Sequence, residues 1–298
     1  MSSAPHTEEQ RANSTRIAME QHSQWLVTAF IASGMLFMLL PGTFLGVWNL
    51  IGISQQRTLS TLSPAWLQAH GQAQIFGWIG SFILGIGFYS LTKMQSTLTF
   101  PVRAGWASWG LWTLGIALRW IGGVTGWQWR ELLPLSGVLQ LMALLLFYRS
   151  VQRHRPANPA HRMETWVVVV MAATIAFLIA MIVNLVALTH LALYSDSPAL
   201  PHIFDQQLVV LAVWGVLVPT IWGFNARWLP VFAGFQKPSG VRLLMAYGLS
   251  VAGVLAIFLQ WLPIAAVLFL LAALLAIDAL HVWEPAVQPA KLLHVHTT

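Results

Sequence analysis

The chain contains no cysteine. That excludes disulfides, thiolate metal sites, iron–sulfur ligation, cysteine nucleophiles and covalent c-type haem, which needs a C-x-x-C-H site. Any metal or haem must be held by His, Met, carboxylate or backbone. Charge is scarce too. Only 8% of the 298 residues are charged, against about a quarter in soluble domains. With 57% hydrophobic residues and a mean hydropathy of +0.68, a soluble fold of this size cannot hide its apolar surface, so lipid is the solvent for much of it. Also missing are a Walker loop, a G-x-G-x-x-G opening a helix after a strand, H-E-x-x-H and G-x-S-x-G, which disfavours hydrolases and nucleotide-driven pumps. The first 24 residues lack the basic region, apolar core and small-residue cleavage site of a signal peptide.

What is present is a series of long apolar runs. A bilayer-spanning helix needs roughly 20 mostly apolar residues. Eight segments meet this, at about 25–48, 66–92, 104–123, 132–149, 165–194, 205–226, 241–259 and 264–282. The expected fold is therefore an all-α polytopic transmembrane helix bundle. Residues 1–24 form a polar cytoplasmic segment, 25–282 the eight-helix domain and 283–298 a short cytoplasmic tail. Spans seven and eight are nearly continuous, divided only around Gln260-Trp261-Leu262-Pro263. Proline there favours a tight turn, and a seven-span chain is the alternative.

Basic residues set the orientation. In the eight-span reading, twelve Lys and Arg fall on one side and only Arg57, Arg119 and Arg130 on the other. Both termini are then cytoplasmic. The same asymmetry explains a pI near 10.3 without nucleic acid, the positive charge facing membrane and cytosol. Trp25, Trp48, Trp66, Trp120, Trp228 and Trp261 lie near span ends, as interfacial anchoring predicts. Trp106, Trp109 and Trp112 in span three read as lipid-facing or packing residues, or as the lining of a cofactor.

Of ten histidines, His6, His22, His154, His161, His294 and His296 fall in cytoplasmic segments and read as solvated surface. His70, His190 and His202 share a depth in the outer third of the membrane, and His281 lies at the inner end of span eight. Histidine within a bilayer usually marks a pathway, relay or ligand site, and imidazole is a common ligand for haem iron and copper. At 100° per residue, His70 shares a face with Gln74, Gly77, Ser81, Gly85 and Phe88. That small and polar stripe admits either another helix or a porphyrin.

The stretch His70-Gly71-Gln72-Ala73-Gln74-Ile75-Phe76-Gly77-Trp78 resembles the second helix of haem–copper oxidase catalytic subunits. There a His-Gly or His-Ala pair before an apolar Phe-Gly stretch supplies a haem ligand near the outer face. It is closer still to the NnrS family, haem- and copper-containing membrane proteins linked to nitric oxide metabolism. In that family a His-Ala-His precedes Phe-Gly-Phe, aligning His70 with the first His and Gln72 with the second. Asn184-Leu185-Val186-Ala187-Leu188-Thr189-His190 loosely resembles the family's Asn-x-x-x-His pattern, with a longer spacing. Gly223-Phe224-Asn225-Ala226-Arg227-Trp228-Leu229-Pro230 resembles the Arg- and Pro-containing exit of the corresponding helix. The similarity covers spans two to six, and the later family helices carrying further His have no counterpart.

The resemblance implies b-type haem anchored by His70, with His190 as the second axial ligand and His202 in reserve. Two histidines give a closed site suited to electron transfer; one leaves iron open to nitric oxide or dioxygen. Arg119 would pair haem propionates or snorkel to headgroups. Copper held by His70, His190 and His202 is a further possibility. The expected setting is the bacterial cytoplasmic (inner) membrane, with a redox partner protein or quinol; the oligomeric state is open. The alternative is a cofactor-free transporter or assembly factor with a His-lined proton or substrate route. Asp205, beside Gln206 and Gln207, reads as a helix cap or as a proton or quinol site with His202. Asp278 and His281, i and i+3, read as an interfacial polar cluster or a proton-handling pair. Asn184 is expected to make an interhelical hydrogen bond.

Overall fold

The computed structural model describes residues 5–55, 63–94, 102–153 and 163–284. His6 is described only as helical backbone. Arg57, His154, His161, His294 and His296, and the tail beyond residue 284, lie outside the described residues.

Eight long helices make up the described chain. Helix α1 comprises Pro5–Phe37, a widened π-helical stretch Met38–Thr43, and Phe44–Ser54. It begins well before the expected span, in the polar head. Helix α2 comprises Pro64–Gln72, a π-helical stretch Ala73–Gly80, and Ser81–Met94. Helices α3, α4 and α5 are Val102–Thr125, Trp129–Arg153 and Thr165–Tyr194. Helix α6 comprises His202–Val210, the π-helical stretch Leu211–Leu217 and Val218–Phe232. Helices α7 and α8 are Gly240–Phe258 and Leu262–Ala279. The protein is thus an all-α helix bundle with the length and composition of a multi-pass membrane protein.

Seven of these helices are long and apolar enough to cross a membrane. The eighth, α3, has 24 residues, about 36 Å at 1.5 Å per residue, so length is not what sets it apart. Its four Trp, five Gly and Arg119 dilute the aliphatic content that marks the others.

The described residues group into two compact units. Unit 1 contains α1 to α4 and the end of α5; unit 2 contains the start of α5 and α6 to α8. In unit 1, Trp112 donates to Ser81 Oγ (3.1 Å), Ser108 to the Ala143 carbonyl (2.9 Å) and Trp109 to Ser33 Oγ (3.3 Å). These bonds tie α3 to α2, α4 and α1. Trp109 and Trp112 are therefore packing residues. Trp25, Trp48, Trp228 and Trp261 are exposed, consistent with interfacial anchors. Trp66 instead turns its indole to the Val124 carbonyl (3.0 Å).

In unit 2, α7 and α8 form a hairpin. Gln260 takes a left-handed φ of 61°, and Trp261 N–H reaches back to the Ala256 carbonyl (2.8 Å). At the other end, Ser239 N–H donates to the Ala279 carbonyl (2.9 Å). The apolar run at 241–282 is thus two helices. Ala265, Ala272, Ala276 and Ala279 line the buried side of α8, small enough to bring the helices close.

Candidate functional site

Pro41 lies inside α1 and has no N–H to give. That removes one helical hydrogen bond, and the chain widens into the π-helical stretch around it. Thr43 Oγ1 donates to the Met38 carbonyl (2.9 Å), satisfying one of the oxygens there. The Gly42 carbonyl receives His70 Nδ1 at 2.7 Å. A carbonyl only accepts, so the proton must sit on Nδ1. In a neutral ring this selects the Nδ1–H tautomer, in which Nε2 is the nitrogen with the lone pair. Among the described residues Nε2 has no hydrogen-bond partner, and the ring is half-buried.

The neighbouring glycines make room for this arrangement. A Cβ on Gly46 would stand 2.9 Å from His70 Cε1, and one on Gly42 would stand 2.5 Å from Gln74 Nε2. Gly42 and Gly46 are i and i+4 on α1; His70 and Gln74 are i and i+4 on α2. The two pairs interlock where both helices are widened or about to widen, and such π-helical irregularities are often found at functional sites.

The rest of the α2 stripe is occupied by α1. Cβ atoms at Gly77 and Gly85 would stand 2.9 Å and 2.7 Å from the Cβ atoms of Phe37 and Phe30. Phe88 stacks on Phe30, centroids 6.1 Å apart. Of the two readings of this stripe, helix packing is the one realised over Gly77–Phe88. Only the His70 imidazole edge is left to serve a cofactor.

The other predicted residues are dispersed. His190 is exposed on α5, its ring 4.9 Å from that of Tyr194. His202 opens α6 in unit 2 and is also exposed. Arg119 is only 4% exposed, so its side chain enters unit 1 instead of snorkelling to headgroups. Asn184 is fully buried, yet neither end of its amide has a hydrogen-bond partner. The expected interhelical bond is not made. Asp278 and His281 turn to different partners: Asp278 pairs with Arg242 (2.5 Å), and His281 Nδ1 with Glu284 (2.7 Å). Arg227 pairs with Glu164 at 3.9 Å and lies over the Trp166 ring. Among the described residues, no three His, Asp or Glu side chains gather into a group that could hold a metal ion.

Two features went unread in the sequence. Gln68 clamps the Leu200 backbone, donating to its carbonyl and accepting from its N–H, both at 2.8 Å. Arg130 fastens the start of α4 to the Ala192 carbonyl (3.1 Å) and to Asp196 (3.6 Å). Nothing in the spacing signals either. The Pro41–Gly42 pair in mid-span was the available cue for the His70 cradle.

The donor set meets the need of a b-type haem at one coordination position: one imidazole, oriented at Nδ1 and without a partner at Nε2 among the described residues. It does not bring a second histidine to that ring. The chain matches no family model, no curated protein and no solved structure.

Proposed function

We propose that this is an eight-span protein of the bacterial inner membrane, with both termini in the cytoplasm, that carries b-type haem on His70 near the outer face. The observation that carries this reading is the hydrogen bond from His70 Nδ1–H to the Gly42 carbonyl. Imidazoles that bind metal characteristically donate their other ring N–H to a carbonyl or carboxylate, which orients the ring and raises the basicity of the ligating nitrogen. Here the carbonyl belongs to a helix distorted by Pro41, so it is fixed by backbone and not by a mobile side chain. The missing Cβ at Gly46, which would stand 2.9 Å from Cε1, lets the ring lie against α1.

The exposure of His190 and His202 favours His70 as the one protein ligand. A haem so held would supply an iron able to change oxidation state and to bind nitric oxide or dioxygen. The chain's part is to orient the imidazole through Nδ1, so that Nε2 is the nitrogen left to ligate. Copper draws no support from the described residues, which gather no three-ligand group. The eight-span topology rests on eight helices of spanning length and on the twelve-to-three division of basic residues.

The test is an absorption spectrum, oxidised and reduced, of protein purified from haem-replete cells. A Soret band is expected in the wild type and lost in His70→Ala, but retained in His190→Ala and His202→Ala. A colourless wild type, or a band unchanged in His70→Ala, would sink the proposal.

A further inference from the structure

Gln140 on α4 and Asn184 on α5 are both fully buried in unit 1, and Gln72 on α2 is 6% exposed. Both amide ends of Gln140, both ends of Asn184 and Oε1 of Gln72 lack a hydrogen-bond partner. Packing places the first two at one depth. Leu185, next to Asn184, packs on Gly137, and Gln140 lies one turn from Gly137 on α4. The Gln140 side chain runs along α3, its Cγ 2.9 Å from where a Gly115 Cβ would stand. Gln72 is one turn from Ala69, which faces Gly123 on the same helix α3.

A polar group buried without partners is penalised by roughly 1–3 kcal/mol, so the unpartnered atoms of Gln140, Asn184 and Gln72 favour a small polar occupant. Its chemistry follows from the groups. Gln140 and Asn184 each present an unpartnered donor and an unpartnered acceptor. An anion satisfies only the NH₂ ends, and a cation only the carbonyl ends. Water satisfies both, and is small enough to lie between close-packed helices.

We propose that the centre of unit 1 is a hydrated polar site, in which Gln140 and Asn184 hold a short chain of bound water that extends toward Gln72. Buried polar sites offering two to four partners are where proteins retain internal water. This inference is independent of haem, since none of the three amides belongs to the His70 cradle.

Met181 reports on the site. It is fully buried and lies three residues before Asn184 on the same face of α5. In hydroxyl-radical footprinting of the whole protein in lipid nanodiscs, radiolysis of bound water should oxidise Met181 despite its burial. Asn184→Leu and Gln140→Leu should each lower that oxidation several-fold and also lower the midpoint of thermal unfolding. Met181 protected in the wild type would overturn the proposal. So would oxidation unchanged in the variants, or an unfolding midpoint that rises in both, as expected when an unpartnered amide leaves a dry core. If a Leu variant fails to fold, Gln140→Met is read in its place, and the wild-type labelling decides by itself.

Discussion

In unit 2 the helices meet through alanine and aromatic rings. Trp214 stacks on Phe269 with centroids 4.4 Å apart, and Ala246, Ala272, Ala276 and Ala279 are fully buried around Trp222 and Leu243. Among the described residues its buried polar side chains, Thr220 and Ser250, are both hydrogen-bonded. Ser250 donates at 2.6 Å to the Trp214 carbonyl in the π-helical stretch of α6. The apolar interior of unit 1 carries most of the buried polar side chains, and these are only partly matched. Among the described residues, every buried side-chain atom without a hydrogen-bond partner belongs to unit 1. The orientated imidazole of His70 lies there too. Hydrocarbon-like packing suffices to hold helices together, as unit 2 demonstrates. Polar groups retained in unit 1 against their desolvation cost are therefore better explained by what they bind than by stability.

This contrast can be broken in several places. The largest effect is expected from Trp214→Ala, which removes a stacked ring from the core of unit 2. Large-to-small aromatic substitutions cost about 3–5 kcal/mol. Limited proteolysis read by mass spectrometry should show cleavage opening first within α6 to α8, with α3 and α4 still protected. Protection lost equally in both units would mean that the two do not unfold separately.

Next is Gly115→Val in unit 1. Even a Cβ there would stand 3.0 Å from the Ser136 carbonyl oxygen, a backbone atom, and 2.9 Å from Gln140 Cγ. Overpacking of this kind costs about 1–3 kcal/mol, and thermal unfolding in detergent should register it. Gly248→Ala in unit 2 is the control. Beyond its chain neighbours and its own helix backbone, no atom lies within 4 Å of a Cβ placed there, and Ala gains up to about 1 kcal/mol over Gly within a helix. The midpoint should rise.

A smaller and equal pair is Ser250→Ala and Ser108→Ala. Each removes one hydroxyl donor to a helix carbonyl, in unit 2 and unit 1 respectively. A loss of about 1 kcal/mol is expected from each. If Ser108→Ala is clearly milder, internal water in unit 1 has taken over the Ala143 carbonyl. The smallest effect belongs to Arg242→Gln. Its pair with Asp278 is exposed on both sides, so less than about 1 kcal/mol is expected, diminishing with added salt.

The helix architecture was legible because lipid demands it. Apolar runs of spanning length, broken by polar or proline-containing turns, leave little choice of structure. The early start of α1 at Pro5 was not legible, because the polar head carries no apolar period to read. A wheel turned at 100° per residue correctly placed His70 and Gln74 together. It takes no account of π-helical widening at Met38–Thr43 and Ala73–Gly80, which sets the register of α1 against α2. Depth along the span grouped His70, His190 and His202, but ligation also depends on the direction around each helix. His190 points outward beside Tyr194, whereas His70 points at Gly42. Asn184 was legible as a deep polar residue of its span, whereas Gln140 was not singled out. Their lack of partners was not legible, because it depends on which helices meet there.

The central claim is that the imidazole at position 70 is the iron ligand of unit 1. Its most direct measurement is chemical rescue. His70→Gly leaves the space against Gly46 without its ring, and free imidazole is then titrated into the haem-replete protein. The account predicts that the Soret band is lost in the variant and restored by imidazole. A band that persists in His70→Gly and is indifferent to imidazole would contradict it.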